Sequence, residues 1–99
     1  MNIKFSETDP EKIVQNLKDV MGGRELSKIV AFDLKGEKLT VTISKVGKSV
    51  LTFSTEVQDD GVTCTLVKEK IALAHKAFKG EVTKKIFRVI EKAGGAIDE

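Results

Sequence analysis

Hydrophobic and polar residues alternate with two different periods along this chain, and each period predicts one kind of element. Between residues 28 and 67 the apolar positions recur at every second residue, the repeat of a strand with one buried face. Towards both ends they recur at every third and fourth residue, the repeat of an amphipathic helix. The pattern therefore predicts an α+β domain with a helix near each end and a sheet between them.

The first residues predict a short strand followed by a helix. Apolar residues at every second position suit a half-buried strand over residues 2–6. A helix start follows with two candidate N-caps. Thr8 has capping-box spacing to Glu11, and Asp9 would place Pro10 at the first helical position.

Both predicted helices carry an apolar stripe and end at a pair of glycines. The last helix begins between Ile71 and Ala77 and runs to about Ala93. Gly22-Gly23 and Gly94-Gly95 end the two helices, because glycine takes the left-handed cap conformation at little cost. The first stripe consists of Ile13, Val14, Leu17, Val20 and Met21. The last stripe consists of Phe78, Val82, Ile86, Val89 and Ala93.

Turn signals divide the middle of the chain into a meander of four strands. A turn at Lys35-Gly36 places Phe32 opposite Leu39 on the apolar face. The same turn sets Asp33 across from Lys38 on the other face, which is a favourable charge pair.

The second hairpin allows two registers. A two-residue turn at Val46-Gly47 would direct Leu51 and Phe53 outward. A three-residue loop over residues 46–48 instead pairs Ile43 with Leu51 and keeps the apolar residues on one face. Since a slip of one residue moves every side chain to the other face, burial favours the three-residue loop.

The third turn, Asp60-Gly61, pairs Val57 with Cys64 on the inner face. The elements then follow the order β-α-β-β-β-β-α in one domain, residues 1–95, and residues 96–99 are predicted to be a frayed tail. One strongly apolar sheet face predicts an antiparallel sheet with both helices on that face.

Composition narrows the class of protein. With 40% hydrophobic and 32% charged residues, the chain is ordinary for a globular domain. A net charge of +2 is too small to indicate a polyanionic partner. No apolar run is long enough for a membrane span and no signal-peptide pattern is present, so we expect a cytoplasmic domain.

The residues that suggest catalysis each have a simpler structural explanation. If the last helix begins by Leu73, His75 falls on its inner stripe, where a single histidine is usually packed or hydrogen-bonded to the backbone. Asp59-Asp60 precedes a glycine and is typical turn chemistry. The single Cys64 lies in mid-strand, where a thiol acts as a small hydrophobe. We expect no enzyme, no metal site and no cofactor.

Two surfaces are candidates for contact with a protein partner or with a second copy. On the last helix, small and apolar residues form a second line away from the stripe: Leu73, Ala77, Gly80 and Phe87. Alternatively, Phe87 folds over a sheet edge. The second surface is the outer sheet face, with Ala31, Thr40, Thr42, Thr52, Ser54 and Thr65 and, among them, Ile29, Val50 and Val67.

A nucleic-acid partner is disfavoured. The β-α-β4-α layout resembles the half-repeat of TATA-binding proteins, which read DNA with the open sheet face. The corresponding face here is nearly neutral at its centre, whereas phosphate contacts require Lys and Arg. Lysines concentrate instead on the last helix, including Lys84 and Lys85, and Glu81 and Glu91 lie among them. A solvated helix face explains this pattern, and a regulator that binds through this helix remains an alternative.

Two segments are similar to a small bacterial family of polyhydroxyalkanoic acid system proteins. Residues 35–53, KGEKLTVTISKVGKSVLTF, resemble the family's hairpin, GD-x-L-x-F-x-R-S-G-V-x-G-x-L-x-V. The family's closing pattern, A-F-x-G-x-I-x-x-x-I, is matched by Ala77, Phe78, Gly80, Val82 and Ile86. The chain departs from the family in lacking an arginine-rich first helix and in the Val46-Gly47 order of the turn.

The resemblance implies a helix-grip layout of the START-like kind and a non-catalytic accessory role in polyester storage. Full helix-grip proteins hold a hydrophobic small molecule between helix and sheet. In this chain the residues facing such a ligand would be Val41, Phe53, Phe78 and Val82. A core filled by the chain's own side chains is favoured, because a void costs about 24 cal/mol per Å³. We therefore expect a binding or interaction module, with a hydrophobic-ligand carrier as an alternative.

Overall fold

A computed structural model describes residues 1–22, 26–44, 47–72 and 79–98 of the chain, and for residues 26 and 79–83 it describes the backbone alone. The strands are β1 (Asn2–Phe5), β2 (Val30–Lys35), β3 (Lys38–Ser44), β4 (Lys48–Gln58), β5 (Gly61–Lys70) and β6 (Gly95–Asp98). The helices are α1 (Pro10–Met21), α2 (Leu26–Ile29) and α3 (Lys79–Lys92).

The six strands form one open antiparallel sheet in the order β2-β3-β4-β5-β1-β6. The α+β class, the antiparallel sheet and the four-stranded meander β2 to β5 are as predicted. The predicted order of elements was incomplete, because it lacked α2 and β6. Ile29, which was placed on the outer sheet face, is the last residue of α2.

The end of the chain corrects a prediction. Residues 96–99 were expected to fray, but Gly95–Asp98 form β6, which lies beside β1 with Ile97 opposite Ile3. A segment of four residues is too short to display a period. Its backbone hydrogen bonds are made with a strand at the other end of the chain, so no local pattern indicates it.

The start of α1 distinguishes between the two candidate caps. The Asp9 carboxylate accepts a hydrogen bond from the Glu11 N–H at 3.0 Å, and Pro10 takes the first helical position. The helix ends at Met21 as predicted, but Gly22 has φ −40° and ψ 123° and is therefore not in the left-handed conformation expected of it.

All three hairpins differ from the predicted registers by two residues. In the first, the turn is Gly36-Glu37, so Phe32 lies opposite Val41, and Asp33 lies opposite Thr40 and not Lys38. Gly36 has φ +62°, which the first central position of a tight hairpin turn requires.

The other two hairpins show the same kind of difference. Between β3 and β4 the loop is residues 45–47, which pairs Val41 with Leu51 and leaves Ile43 opposite Ser49. Gly47, at the end of this loop, has φ +124°, a conformation that a side chain disfavours. Asp59-Asp60 forms the third turn, which places Val57 opposite Val62 and Cys64 opposite Thr55. Each slip is an even number of residues, so the faces remain as predicted.

A β-bulge changes the facing of residues at the end of β5. Phe53 pairs with Leu66 but Thr52 pairs with Lys68, so Val67 is an extra residue in β5. Strict alternation would direct Lys68 and Lys70 into the core. The bulge turns them to the opposite face, where Lys70 lies across from Val50.

The covered face of the sheet, which is the face that packs on the helices, forms one core with α1 and α3. This supports the prediction that both main helices lie on one side. From the helices, the fully buried residues are Ile13, Val14, Leu17, Met21, Ile86, Val89 and Ile90. From the strands they are Ile3, Phe5, Val30, Phe32, Leu39, Val41, Ile43, Phe53, Val62 and Cys64. Val20 and Ala93 are only partly buried at the margin, and Ile90 was not predicted.

Among the side chains that the structure describes, one polar group is buried on the covered face. Ser49 is 0% exposed, and its hydroxyl accepts a hydrogen bond from the Ala72 N–H at 2.8 Å. Ala72 follows β5 in the chain, so this bond ties the end of β5 to the start of β4. A buried serine is tolerated because its hydroxyl is hydrogen-bonded.

Candidate functional site

The residues considered for catalysis do not form a site in the part of the chain that the structure describes. His75 lies outside the described residues. Cys64 is 1% exposed, and burial raises the pKa of its thiol to about 11, so it is a neutral thiol at physiological pH. Among the described residues, no group of three or more His, Cys, Asp or Glu side chains is arranged to hold a metal ion.

The turn acid Asp60 is engaged in a surface contact. Its carboxylate lies 3.0 Å from the Lys4 ammonium, which also donates to the Gln58 side-chain oxygen at 2.7 Å. The hydrogen bond and the charge of Lys4 lower the pKa of Asp60. This contact joins β1 to the turn between β4 and β5 and explains the acid as part of the fold.

The proposed ligand-facing core is filled where it is described. Val41 is 1% exposed and Phe53 is 2% exposed, and both belong to the single core. The crevice between α1 and the sheet has about 0 Å³ of space that a water molecule could enter. Phe78 lies outside the described residues, and for Val82 the backbone alone is described, within α3.

The predicted contact surface on the last helix is described in part. Leu73 and Ala77 lie outside the described residues, and Gly80 lies in the first turn of α3. Phe87 is half-buried, whereas its neighbours Ile86 and Val89 are fully buried. The predicted surface therefore lies partly outside the described residues and stays a prediction.

The opposite face of the sheet, here called the open face, is not crossed by any helix in the described part of the chain. The strand registers order its side chains in rows across the sheet. One row runs Ala31, Thr42, Val50, Lys70, and the next runs Asp33, Thr40, Thr52, Lys68. A third row contains Lys35, Lys38, Ser54, Thr65, Asn2 and Asp98.

The centre of the open face differs from an ordinary solvated surface. Thr40, Thr42, Val50, Thr52 and Ser54 are all half-buried, because neighbouring strands shield them. Short hydroxyl and aliphatic side chains at adjacent positions produce a flat area with few charges. Such an area has few charges to desolvate, and its hydroxyl groups can form hydrogen bonds with another protein in place of water.

A shallow groove crosses one end of the open face. It has a volume of about 230 Å³ and is lined by Val50, Thr52, Lys68 and Lys70. Sequence reasoning missed the two lysines, because the predicted strands ended at residue 67. A signal was present, since continuing the period through residue 70 would place two charged side chains in the core, which indicates a break in the strand period.

Charges of both signs border the open face. Lys35, Lys38, Lys68 and Lys70 are exposed, and so are the acidic side chains Asp33, Glu56 and Asp98. A long polyanion lying on this face would meet these carboxylates. The mixture favours a partner that itself carries both signs.

No family model matches the chain, and no curated protein and no solved structure is significantly similar to it. The resemblance to the polyhydroxyalkanoic acid system proteins therefore stays a prediction. In the described part of the chain, no helix has the length and apolar character needed to cross a membrane.

Proposed function

We propose that this chain is a non-catalytic binding module that recognises a protein partner through the open face of its sheet. The observation that carries the proposal is the half-buried, low-charge centre of that face, where Thr40, Thr52 and their neighbours lie beside a groove edged by Lys68 and Lys70. This surface is polar and carries charges of both signs. Both properties are typical of a transient protein–protein interface.

Two alternatives have less support. A carrier of a hydrophobic small molecule needs a cavity between helix and sheet, and the described crevice next to α1 admits no water. A regulator that binds nucleic acid through α3 would use Lys84, Lys85 and Arg88, which are exposed. Exposed lysines on a helix are equally explained by solubility, so they do not favour a polyanion.

The experiment is site-specific photo-crosslinking in cells of the source organism. A photoreactive amino acid at Thr52 lies on the open face, and one at Lys12 lies on the exposed side of α1. We expect an adduct with a second protein from position 52 and none from position 12. The combined change Lys68→Glu and Lys70→Glu reduces the yield at position 52 several-fold, because it reverses both charges along the groove.

Equal adducts from both positions, or no protein adduct from position 52, would contradict the proposal. An adduct with nucleic acid at position 52 would support the regulator instead. A purified protein that carries bound lipid into native mass spectra would support the carrier.

The accessory role in polyester storage is a more specific version of the same proposal. If it holds, the purified protein co-sediments with amorphous polyhydroxybutyrate granules, and the photoreactive group at position 52 becomes protected in their presence. Without co-sedimentation, this version fails and the binding module remains testable through its crosslinked partner.

A further inference from the structure

The two edges of the sheet differ in how they are protected from pairing with another strand. β6, at one edge, has four residues. β2, at the other, has six, and the run VAFDLK contains no proline, no glycine and no bulge. Natural edge strands are usually shortened, bulged or given an inward-pointing charge. The inward residues Val30, Phe32 and Leu34 carry none of these protections.

Space is also present beside the β2 edge. A recess of about 430 Å³ opens there, lined by β2 residues, by Ser27 of α2 and by Lys18 and Met21 of α1. Farther along the strand, Leu34 is half-buried, although Phe32 before it is 3% exposed. The described structure therefore leaves the edge uncovered and its last apolar residue incompletely packed.

The turn that follows β2 determines which backbone groups point away from the sheet. Lys35 and Lys38 close the two-residue turn Gly36-Glu37, and the closing pair of such a hairpin is hydrogen-bonded. Asp33 and Ala31 then also bond to β3. The N–H and C=O groups of Phe32 and Leu34 are left facing the free edge.

The charged residues of β2 favour one of the possible antiparallel pairings between the β2 strands of two copies. A symmetric pairing centred on Asp33 would set two carboxylates against each other. Centred on Leu34, it sets Asp33 of each copy opposite Lys35 of the other, and the outward backbone groups of Leu34 bond reciprocally. A pairing centred on Phe32 forms no ion pair. The Leu34 register is the favourable one.

We propose that a second copy of this chain docks on the β2 edge, antiparallel and with Leu34 on the two-fold axis. The two sheets become one continuous sheet, and each Leu34 covers the other on the covered face. Because the same patch is used by both copies, the assembly is closed and stops at two chains. The proposal is independent of the partner on the open face.

Sedimentation equilibrium on the purified chain, from about 10 µM to about 1 mM, tests this pairing. We expect a mass that rises to two chains and no further. Asp33→Lys and Lys35→Asp each weaken the dimer by about tenfold, because each turns two attractive pairs into repulsions. The double variant Asp33→Lys with Lys35→Asp restores association, because each pair again consists of one positive and one negative side chain. Both changed positions are exposed, so the fold is retained.

Matched controls separate the register from general charge repulsion. Glu56→Lys and Lys68→Asp make the same changes of charge on the open face, away from β2, and leave the dimer constant unchanged. The proposal is overturned if the wild-type chain stays monomeric at the highest concentration or grows beyond two chains. It is also overturned if the double variant fails to restore association, or if Phe87→Asp alone dissociates the dimer and places the contact on α3.

Discussion

The covered face and the open face of the sheet are built from the same strands, yet they differ in every physical property. On β3, Val41 is 1% exposed on the covered face, while Thr40 and Thr42 beside it are half-buried on the open face. On β4 the same contrast separates Phe53 from Thr52. Strand formation alone accepts threonine and valine equally well, so the difference reflects what each face contacts. The covered face packs against the helices, and the open face carries short polar side chains that the described helices do not cover.

The largest expected effect compares two neighbours on β4. Phe53→Ala removes a fully buried ring and should lower the free energy of unfolding by about 3–5 kcal/mol. Thr52→Ala, one residue away on the open face, should lower it by less than about 1 kcal/mol. Urea unfolding followed by circular dichroism measures both. Similar losses for the two variants would mean that the open face is also part of a packed core.

The second effect concerns the buried thiol of the covered face. The folded chain raises the pKa of Cys64 from 9.0 to about 11, so the unfolded chain loses this proton first. The pKa shift of Cys64 therefore makes its full contribution to the free energy of unfolding below about pH 9. This contribution disappears as the pH rises towards about 11, a loss of roughly 2–3 kcal/mol.

A Cys64→Ala variant provides the comparison, because it removes the thiol and leaves every other side chain in place. Urea unfolding at several values from about pH 8 to about pH 11 should show a steeper fall for the wild-type chain. Parallel curves for the two proteins would indicate that water reaches the thiol and that the covered face is less closed than described.

A smaller effect on the free energy of unfolding is expected at Ser49, the buried polar side chain on the covered face. Ser49→Ala removes the acceptor of the Ala72 N–H and should cost about 1–2 kcal/mol, in the lower part of the usual range because Ala72 is half-buried and water can partly replace the bond. Ser54→Ala on the open face is the matched control and should change stability by about 0.5 kcal/mol or less. Faster amide exchange at Ala72 in the Ser49 variant alone would identify the broken bond. Equal behaviour of the two variants would contradict this role for Ser49.

From residue 30 to residue 66, alternation predicted the faces of the meander strands correctly and the registers incorrectly, for one physical reason. A two-residue slip leaves every side chain on its own face, so burial cannot detect it. The register depends on where glycine sits in the turn. Gly36 is the first central residue of its turn and Gly47 the last residue of its loop, and neither position follows from the apolar pattern.

The candidate site was predictable only in its centre. Thr40, Thr42 and Thr52 were assigned to the outer face by period alone. Lys68 and Lys70 reach the same face through the bulge at Val67, which depends on tertiary pairing with β4. The contact line on the last helix followed from ideal helical spacing, and that spacing does not determine how deeply Phe87, which is half-buried, is covered by its neighbours.

The position of β1 between β5 and β6 has a consequence for how the nascent chain acquires its fold. Among the described strands, β1 is synthesised before its two neighbours, which begin only at Gly61 and Gly95. The meander hairpins can form while the polypeptide is still being extended, whereas Ile3 and Phe5 wait for partners from the distal half. Such distant pairings are slow to close. The ladders that β1 forms with β5 and β6 are therefore expected to close after the meander hairpins.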